Sequence, residues 1–585
     1  MRILAFISAV MLLCVGAVFA DYHYASHEGS DEYPYTSWET AADSIQKAID
    51  ASSPGDTVYV GSGEFLEHII MIDSIGLIGI SMDSTIIQGT QDPGPNTVVV
   101  RPGYDVIIQG LHIRGRWFGG NQYYKGVENL CAGMRLYNCE ISQCDYALFG
   151  FGTCIIEENV FDSNFTNIYL KLQGYPYVKN NSLLVSADWN TIIEEGTIVN
   201  NYIEGKQDAT IYTDYSSNCQ IANNLFLFVS SPYEVRSVEI FWVWRSLIEN
   251  NSMIGGKTGI NLQYAPHSDT LIARNNIISG MSGHAIDIWA EDTATVQASI
   301  SYNDFWNIAG DDIKIFHGSA QIDSVGNIRS DPMFSDTTDY WLQAFSPCID
   351  AGDPEIFDVD GSRSDIGYTG GPGGISYQYV DLPPAIPDSF IVSVVDDTIG
   401  IVWPYATEAD FSRYNIYRSN ESGFAPSVEN LYAVIDTSVF KDTEWYNDRN
   451  YYYLITAVDN QDNESAPSVE IPVIFVGIGE VPSPSVPKAV TLYQNYPNPF
   501  NPRTTIKYYL PEVGAQPSQV KIVIYDLMGK EVRALVDKKE YSGEHAVTWD
   551  GLDNNGKELS SGVYFYRLFW WGREFTKAKR MVLIR

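Results

Sequence analysis

Five segments decide how this chain reads: VKNNSLLVS (178–186), IVNNYIEGK (198–206), IANNLFLFV (221–229), IENNSMIGG (248–256) and ARNNIISGM (273–281). Each places an Asn pair at a bend between short runs in which apolar residues alternate. Asn tolerates left-handed backbone geometry, and stacked on its own copies it can form a ladder of side-chain amides. The same signal recurs at Asn138, Asn159, Asn180–Asn181, Asn200–Asn201, Asn223–Asn224, Asn250–Asn251, Asn275–Asn276 and Asn303, at intervals of about 20 to 27 residues. That is the length of one coil of a β-solenoid, in which alternate apolar residues point inward and stack. Earlier coils, around Gly89 and Gly110, keep the strand–turn rhythm without Asn.

Upstream, TAADSIQKAIDASSPGDTVYVGSGEFLEHIIM (40–71) predicts an amphipathic helix, a Pro-Gly-Asp turn and a strand. A helix there would cap the open end of the solenoid, whose edge is otherwise a pairing hazard. Downstream, SDPMFSDTTDYWLQAFSPCIDAGDPEIFDVDGSRSDIGYTGG (330–371) closes the repeat region. Together these stretches resemble the right-handed parallel β-helix proteins of the pectate-lyase-like superfamily. The resemblance implies that fold over residues 21–376, but no single activity, because the fold hosts lyases, hydrolases, epimerases and adhesins.

The Pro-rich junction VDLPPAIPDS (380–389) opens a second unit. Trp403 in IGIVWP, Tyr414 to Tyr417 in YNIYR, and YYYLITAVDNQDNESAPS (451–468) resemble a fibronectin type III domain, assigned to 380–477. Such domains are spacers or binding modules more often than enzymes. A second linker, GEVPSPSVPK (479–488), leads to LYQNYPNPFNPRTTIKYYLP, VKIVIYDLMGKEVRALV and GEHAVTWDGLDNNGKELSSGVYFYRL, and then to AKRMVLIR (578–585). These strands with Asp/Asn/Gly turns predict a compact β-sandwich. Residues 487–585 closely resemble the C-terminal sorting domain of type IX secretion cargo, which implies an immunoglobulin-like fold and the type IX secretion machinery as partner. The expected fold class is all-β: a right-handed parallel β-helix followed by two immunoglobulin-like β-sandwich domains.

Residues 1–20 carry the pattern of a signal peptide, with Arg2 before an apolar run from Ile3 to Val18 and small residues Val18 and Ala20 ahead of Asp21. Sec export followed by type IX-like passage to the outer surface or the medium is the expected route. No later segment is apolar enough to predict a membrane span. Net charge is −37, unevenly spread. Residues 486–585 hold 15 basic and 10 acidic residues, a net of +5, and the remainder holds 21 basic and 63 acidic, a net of −42. So acidic a body repels nucleic acid and anionic membrane. Six cysteines follow the signal segment: Cys131, Cys139, Cys144, Cys154, Cys219 and Cys348. Export permits disulfides, and neighbouring coils could bring Cys131 near Cys154; buried free thiols filling the stack are the equal alternative. Zinc is disfavoured because no His cluster accompanies them.

With the aliphatic residues of each coil placed inward, the strand after each Asn turn presents an outward stripe. NIYLKLQ exposes Tyr169, Lys171 and Gln173; ATIYTDY exposes Tyr212 and Asp214. VEIFWVWR exposes Glu239, Phe241, Val243 and Arg245; GINLQY exposes Asn261 and Gln263; AIDIWAED exposes Asp287, Trp289 and Glu291. Rings that stack on sugar faces, beside carboxylates, amides and cations, suit an extended extracellular polysaccharide. Tyr169, Tyr212, Phe241, Gln263 and Trp289 are the expected substrate-binding residues. A lyase would use Lys171 or Arg245 as base, with Asp214, Glu239 or Asp287 holding a cation such as Ca2+. A glycoside hydrolase would pair Glu239 with Asp214 or Asp287. The competing expectation is a non-catalytic adhesive rod. Asp311–Asp312 with His317 resembles the paired aspartates of polygalacturonases, but lacks the companion Asn-Thr-Asp and Gly-His-Gly elements and reads as a solvated loop. Asp358, Asp360 and Asp365 in DVDGSRSD could ligate Ca2+ around Gly361, although the spacing lacks the closing Glu of an EF-hand and suits a structural turn better. No other cofactor motif is present.

Overall fold

The computed structural model describes residues 20–583 except 91–95, 101–104, 116–123, 131–132, 172–174, 185–190, 194–195, 206–208, 215–218, 229–235, 242–244, 266–269, 291–294, 396–397, 447–448, 475–490, 494, 496–497, 499, 501–502, 511–517, 526–529, 542, 555–556, 558, 561, 571–572 and 575–578. The expected signal segment, apart from Ala20, and Cys131 lie outside the described residues.

Strands from Tyr22 to Asp323 form three parallel sheets of 13, 11 and 11 strands, and within each sheet neighbouring strands come from successive coils. The first sheet holds the strand before each Asn turn, such as Cys219–Ala222 and Arg245–Glu249. A short strand directly after the turn, such as Leu225–Phe228, belongs to the third sheet. The second sheet takes the strand after that, including Ala209–Asp214, Arg236–Phe241, Thr258–Ala265 and Ile286–Ala290. The runs expected to follow the Asn turn directly therefore stand one strand further on. Between the sheets lies one core of apolar side chains, with Ile198, Ile203, Ile211, Ile221, Phe226 and Val238 all buried in it.

The two residues of each Asn pair have different tasks. The first takes the left-handed conformation that turns the corner: φ is 56° at Asn180 and Asn200, 54° at Asn223, 50° at Asn250 and 55° at Asn275. Glu158, Tyr302 and Gly110 do the same in other coils. The second is buried in the ladder. Asn201 Nδ2 donates to Asn224 Oδ1 at 2.9 Å and to the Val178 and Val199 carbonyls at 3.0 and 2.9 Å. The bond repeats through Asn159, Asn181, Asn201, Asn224, Asn251, Asn276, Asn303 and Asn327. Each buried amide thereby satisfies backbone groups that the turn leaves without strand partners. Gly89 is not at this corner: it follows the third-sheet strand Thr85–Gln88.

The helix expected upstream is present at Ile45–Ala51, with Ser44 as N-cap. Glu67 completes the cap by accepting from the Ile45 and Gln46 amides at 2.8 and 3.0 Å. Ile45, Ala48 and Ile49 seal the first coil against Ala25, Val58 and Met71. The closing segment runs back over the Asn corner: Asn223 Nδ2 donates to the Tyr368 carbonyl at 3.0 Å, and Asn250 Nδ2 to the Asp365 carbonyl at 3.0 Å.

Beyond it, Ile391–Val395, Thr398–Val402 and Val439–Asp442 form one antiparallel sheet. Leu431–Ile435, Phe411–Ser419, Tyr451–Asp459 and Ile471–Val473 form the facing one, with Trp403 and Tyr414 buried edge to face at 5.1 Å. The antiparallel sheets between Thr491 and Leu583 belong to a separate compact unit, built around Trp549, Tyr566, Ile522 and Leu568.

The five described cysteines are buried, and Cys139, Cys144 and Cys348 are free thiols. Burial pushes the Cys139 and Cys144 thiols up to about 12, so these are packing groups, not nucleophiles.

Candidate functional site

Along the second sheet, Ile168, Leu170, Ile211, Val238, Ile240, Ile260, Leu262, Ile286 and Ile288 face inward. The residues between them therefore face out. Parallel register aligns the outward residues in two columns. One runs from Glu128 through Phe149, Tyr169, Ile192 and Tyr212 to Glu239, Asn261, Asp287 and Lys314. The other holds Phe241, Gln263 and Trp289. Tyr169, Tyr212, Phe241, Gln263 and Trp289 thus share one sheet; the first four are half-buried and Trp289 is 41% exposed.

Neighbouring rings extend this face. Tyr169 stacks on Phe149 at 5.2 Å with planes 3° apart, and the Lys125 ammonium lies 4.0 Å from the Phe149 ring centre. Tyr212 meets Phe241 at 5.3 Å, and Trp289 stacks on Phe316 at 4.6 Å. Phe149, Phe316 and Lys125 escaped the sequence reading. The alternation in YALFGF (146–151) was the available signal for Phe149.

The polar residues differ from expectation. Glu239 is not exposed: it is 2% accessible, and its Oε1 accepts from Arg236 Nη1 at 2.9 Å, from Asn261 Nδ2 at 3.0 Å and from Gln263 Nε2. Asn261 is likewise buried, at 1%. Outward parity sets direction, but neighbouring coils cover these short side chains. Asp287 is 7% accessible and accepts from Thr258 Oγ1 at 3.0 Å, while its Oδ1 has no hydrogen-bond partner. Burial raises the Asp287 pKa, against the opposing hydrogen bond from Thr258 and the nearby His284, Arg236 and Lys257.

Arg245 is not on this face. It begins the first-sheet strand Arg245–Glu249, where it lines a shallow cleft of about 260 Å³ with Tyr175, Thr197 and Gln220. The chain leaves the second sheet after Phe241, so VEIFWVWR is not one strand. The side chains of Lys171 and Asp214, and residues Gln173, Val243 and Glu291, lie outside the described residues.

The carboxylates of the candidate calcium loop already accept from nearby amides and a hydroxyl. Asp358 accepts from the Asp365 amide at 3.0 Å and from the Gly371 amide. Asp360 accepts from the Ser362 amide at 2.9 Å, and Asp365 from the Asp350 amide at 2.8 Å and the Tyr379 hydroxyl at 2.6 Å. These carboxylates are turn and cap acceptors, each facing its own donors. Asp311 and Asp312 are ion-paired to Lys314 at 2.9 Å and Arg329 at 2.6 Å, at a cleft of about 850 Å³ near the end of the solenoid.

Glu239 is held by the Arg236 guanidinium, and burial biases Asp287 towards its protonated form. The two carboxyl residues stand two coils apart in register, which puts their Cα atoms about 10 Å apart.

Residues 503–568 match the FlgD Ig-like domain. No curated protein matches the chain. Among solved structures, the chain is similar to an Fn3-like protein from Clostridium thermocellum, at 26% identity over 16% of this chain and 96% of that one, TM-score 0.14. It is also similar to the catalytic unit of a GH87 α-1,3-glucanase from Streptomyces thermodiastaticus, at 12% identity over 49% and 65% of the two chains, TM-score 0.32. A family 28 exopolygalacturonase from Yersinia enterocolitica is similar at 11% identity over 49% and 74%, TM-score 0.28. By its fold, the chain is a nearly all-β protein: a parallel β-solenoid followed by antiparallel sandwich-like sheets and an Ig-like domain. No helix among the described residues is long and apolar enough to cross a membrane.

Proposed function

We propose that the outer face of the second sheet binds an extended extracellular polysaccharide. The observation that supports this is the placement of Tyr169, Tyr212, Phe241, Gln263 and Trp289 on one face, in two adjacent columns beside the buried polar row of Glu239, Asn261 and Asp287. A linear glycan laid along the stack would meet a ring or a polar group at most coils, about 4.8 Å apart, with Ile192 between Tyr169 and Tyr212. If the face is catalytic, the chemistry it suits is hydrolysis, with Asp287 as proton donor and Glu239 as the second carboxyl group. The lyase alternative loses one of its two bases, because Arg245 lies on another sheet. Binding without turnover is the second reading, favoured by the three donors already engaged on Glu239 Oε1.

The test is a screen of the mature chain on neutral and uronate-containing glycans, scoring both retention and new chain ends. Retention lost in Trp289→Ala supports the groove, and equal retention by that variant overturns it. New reducing ends that vanish in Asp287→Asn support hydrolysis, whereas unsaturated ends overturn it.

We further infer Sec export and then type IX-like passage to the outer surface or the medium. Supporting this are the Arg2-led apolar run in 1–20 and the sequence motifs of 487–585. A reporter fused to residues 487–585, expressed in a type IX-competent bacterium, should appear outside the cell. Periplasmic retention would overturn the inference.

A further inference from the structure

Three carboxylates meet in the seven-stranded sandwich. Asp410 stands just before the strand Phe411–Ser419, and Asp459 ends the strand Tyr451–Asp459 that pairs with it, with Phe411 opposite Asp459. Asp381 comes from the junction that leads out of the closing segment, next to Val380, whose carbonyl accepts from the Ala344 amide at 3.0 Å. One carboxylate oxygen from each of the three lies within 4.8 Å of the others. Asp459 is fully buried, Asp410 is 5% exposed and Asp381 is exposed.

The donors around this cluster are too few. Asn463 Nδ2 donates to Asp381 Oδ2 at 2.8 Å and to Asp459 Oδ2 at 2.9 Å, and the Gln461 and Asn463 amides donate to Asp459 Oδ1 at 2.8 Å. Asp410 Oδ2 is buried with no hydrogen-bond partner. Among the described residues, no Lys or Arg forms an ion pair with any of the three; Arg413, close in sequence, is paired to Asp462 at 2.8 Å. Like charges at such a distance repel strongly when withdrawn from water, and a buried polar atom left unbonded calls for a partner.

We propose that Asp381, Asp410 and Asp459 bind a divalent cation, and that the cation is Ca2+. Ligand oxygens on opposite sides of a Ca2+ ion are at most about 5 Å apart, which the cluster matches. The donor set is oxygen alone, without His or Cys, so it does not suit zinc or copper. Exposure on the Asp381 side leaves room for water to complete the shell of six to eight that calcium takes. The bound ion joins the exposed junction, through Asp381, to two paired strands of the sandwich. The Ala385 amide, bonded to Glu408 Oε1 at 2.8 Å, ties the same segment down a few residues on. This site is independent of the solenoid face and of any glycan bound there.

The test is isothermal titration of the full mature chain, stripped with EDTA, with CaCl2, alongside thermal melts. The parent should show one saturable site and a melting midpoint that rises with Ca2+. Asp410→Asn and Asp381→Asn should each lose at least about tenfold in affinity, and Asp381→Asn, an exposed and near-isosteric change, should remain folded by circular dichroism. Asp360→Asn, in the separate turn of the closing segment, should bind as the parent does. Absence of saturable Ca2+ uptake by the parent overturns the proposal, as does parent-like uptake by both Asp381→Asn and Asp410→Asn. Mg2+ binding as tight as Ca2+ overturns the choice of calcium.

Discussion

Asn261 Nδ2 donates to Glu239 Oε1 at 3.0 Å across adjacent coils, so the carboxylate of one coil is held by the amide of the next. Arg236 and Gln263 converge on the same oxygen. Removing Glu239 leaves Asn261 buried with a lost acceptor and Arg236 without its ion pair. Glu239→Ala should destabilise the solenoid by about 2–4 kcal/mol, and Glu239→Gln by less, read as shifts in the urea midpoint.

The Asn ladder sets a second expectation. Asn224 donates to the Ile198 and Ala222 carbonyls and to Asn251, and accepts from the Asn201 amide and side chain. Asn224→Ala removes these bonds and leaves a cavity in the stack, at a cost of about 3–5 kcal/mol. Its corner partner Asn223 carries the left-handed turn at φ 54°, so Asn223→Gly should be milder than Asn223→Val in thermal scans.

On the proposed glycan face, Trp289 is 41% exposed and stacked on Phe316. Trp289→Ala should weaken glycan binding by about 3–10-fold, as expected for losing one stacking platform, while the melting temperature changes little. Arg245→Ala, on the first sheet, should leave binding unchanged. Affinity electrophoresis on the glycan that the parent retains distinguishes the two variants.

A buried acid makes stability depend on pH. Asp304 accepts from the Cys348 thiol at 3.4 Å and the Ser330 amide at 3.1 Å, and burial raises its pKa from 3.8 to about 7. Because the folded pKa lies above the unfolded one, the folded state holds this proton more tightly. The resulting stability is fully present below about pH 4 and is lost as pH rises through about 7. The loss approaches about 4 kcal/mol at its limit. Asp304→Asn should flatten the profile between pH 4 and 8, measured by denaturant melts at fixed ionic strength.

How much of this was legible depends on separation along the chain. Coil length, strand alternation and the turn Asn are local, and the helix at Ile45–Ala51 follows from its own apolar spacing and the Ser44 cap. Outward direction was also legible, because parity alone places Tyr169, Tyr212, Phe241 and Trp289 opposite the aliphatic stack. Exposure was not: Glu239 and Asp287 point outward yet are covered by neighbours about 22 to 29 residues away. Arg245 was misplaced because VEIFWVWR alternates like one strand while the chain passes from one sheet to another within it.

By itself, the sequence determined that the chain winds into stacked parallel coils with Asn at the corners, since alternation and left-handed tolerance are properties of single residues and their neighbours. It also determined that sandwich units follow. Long-range packing settled which Asn of each pair turns the corner and which joins the ladder, since the two are chemically identical and differ only in what stacks on them. It likewise decided which carboxylates meet. Asp358, Asp360 and Asp365, close in sequence, each face their own donors, whereas Asp381, Asp410 and Asp459, far apart in sequence, come together because strand pairing brings distant backbone into contact.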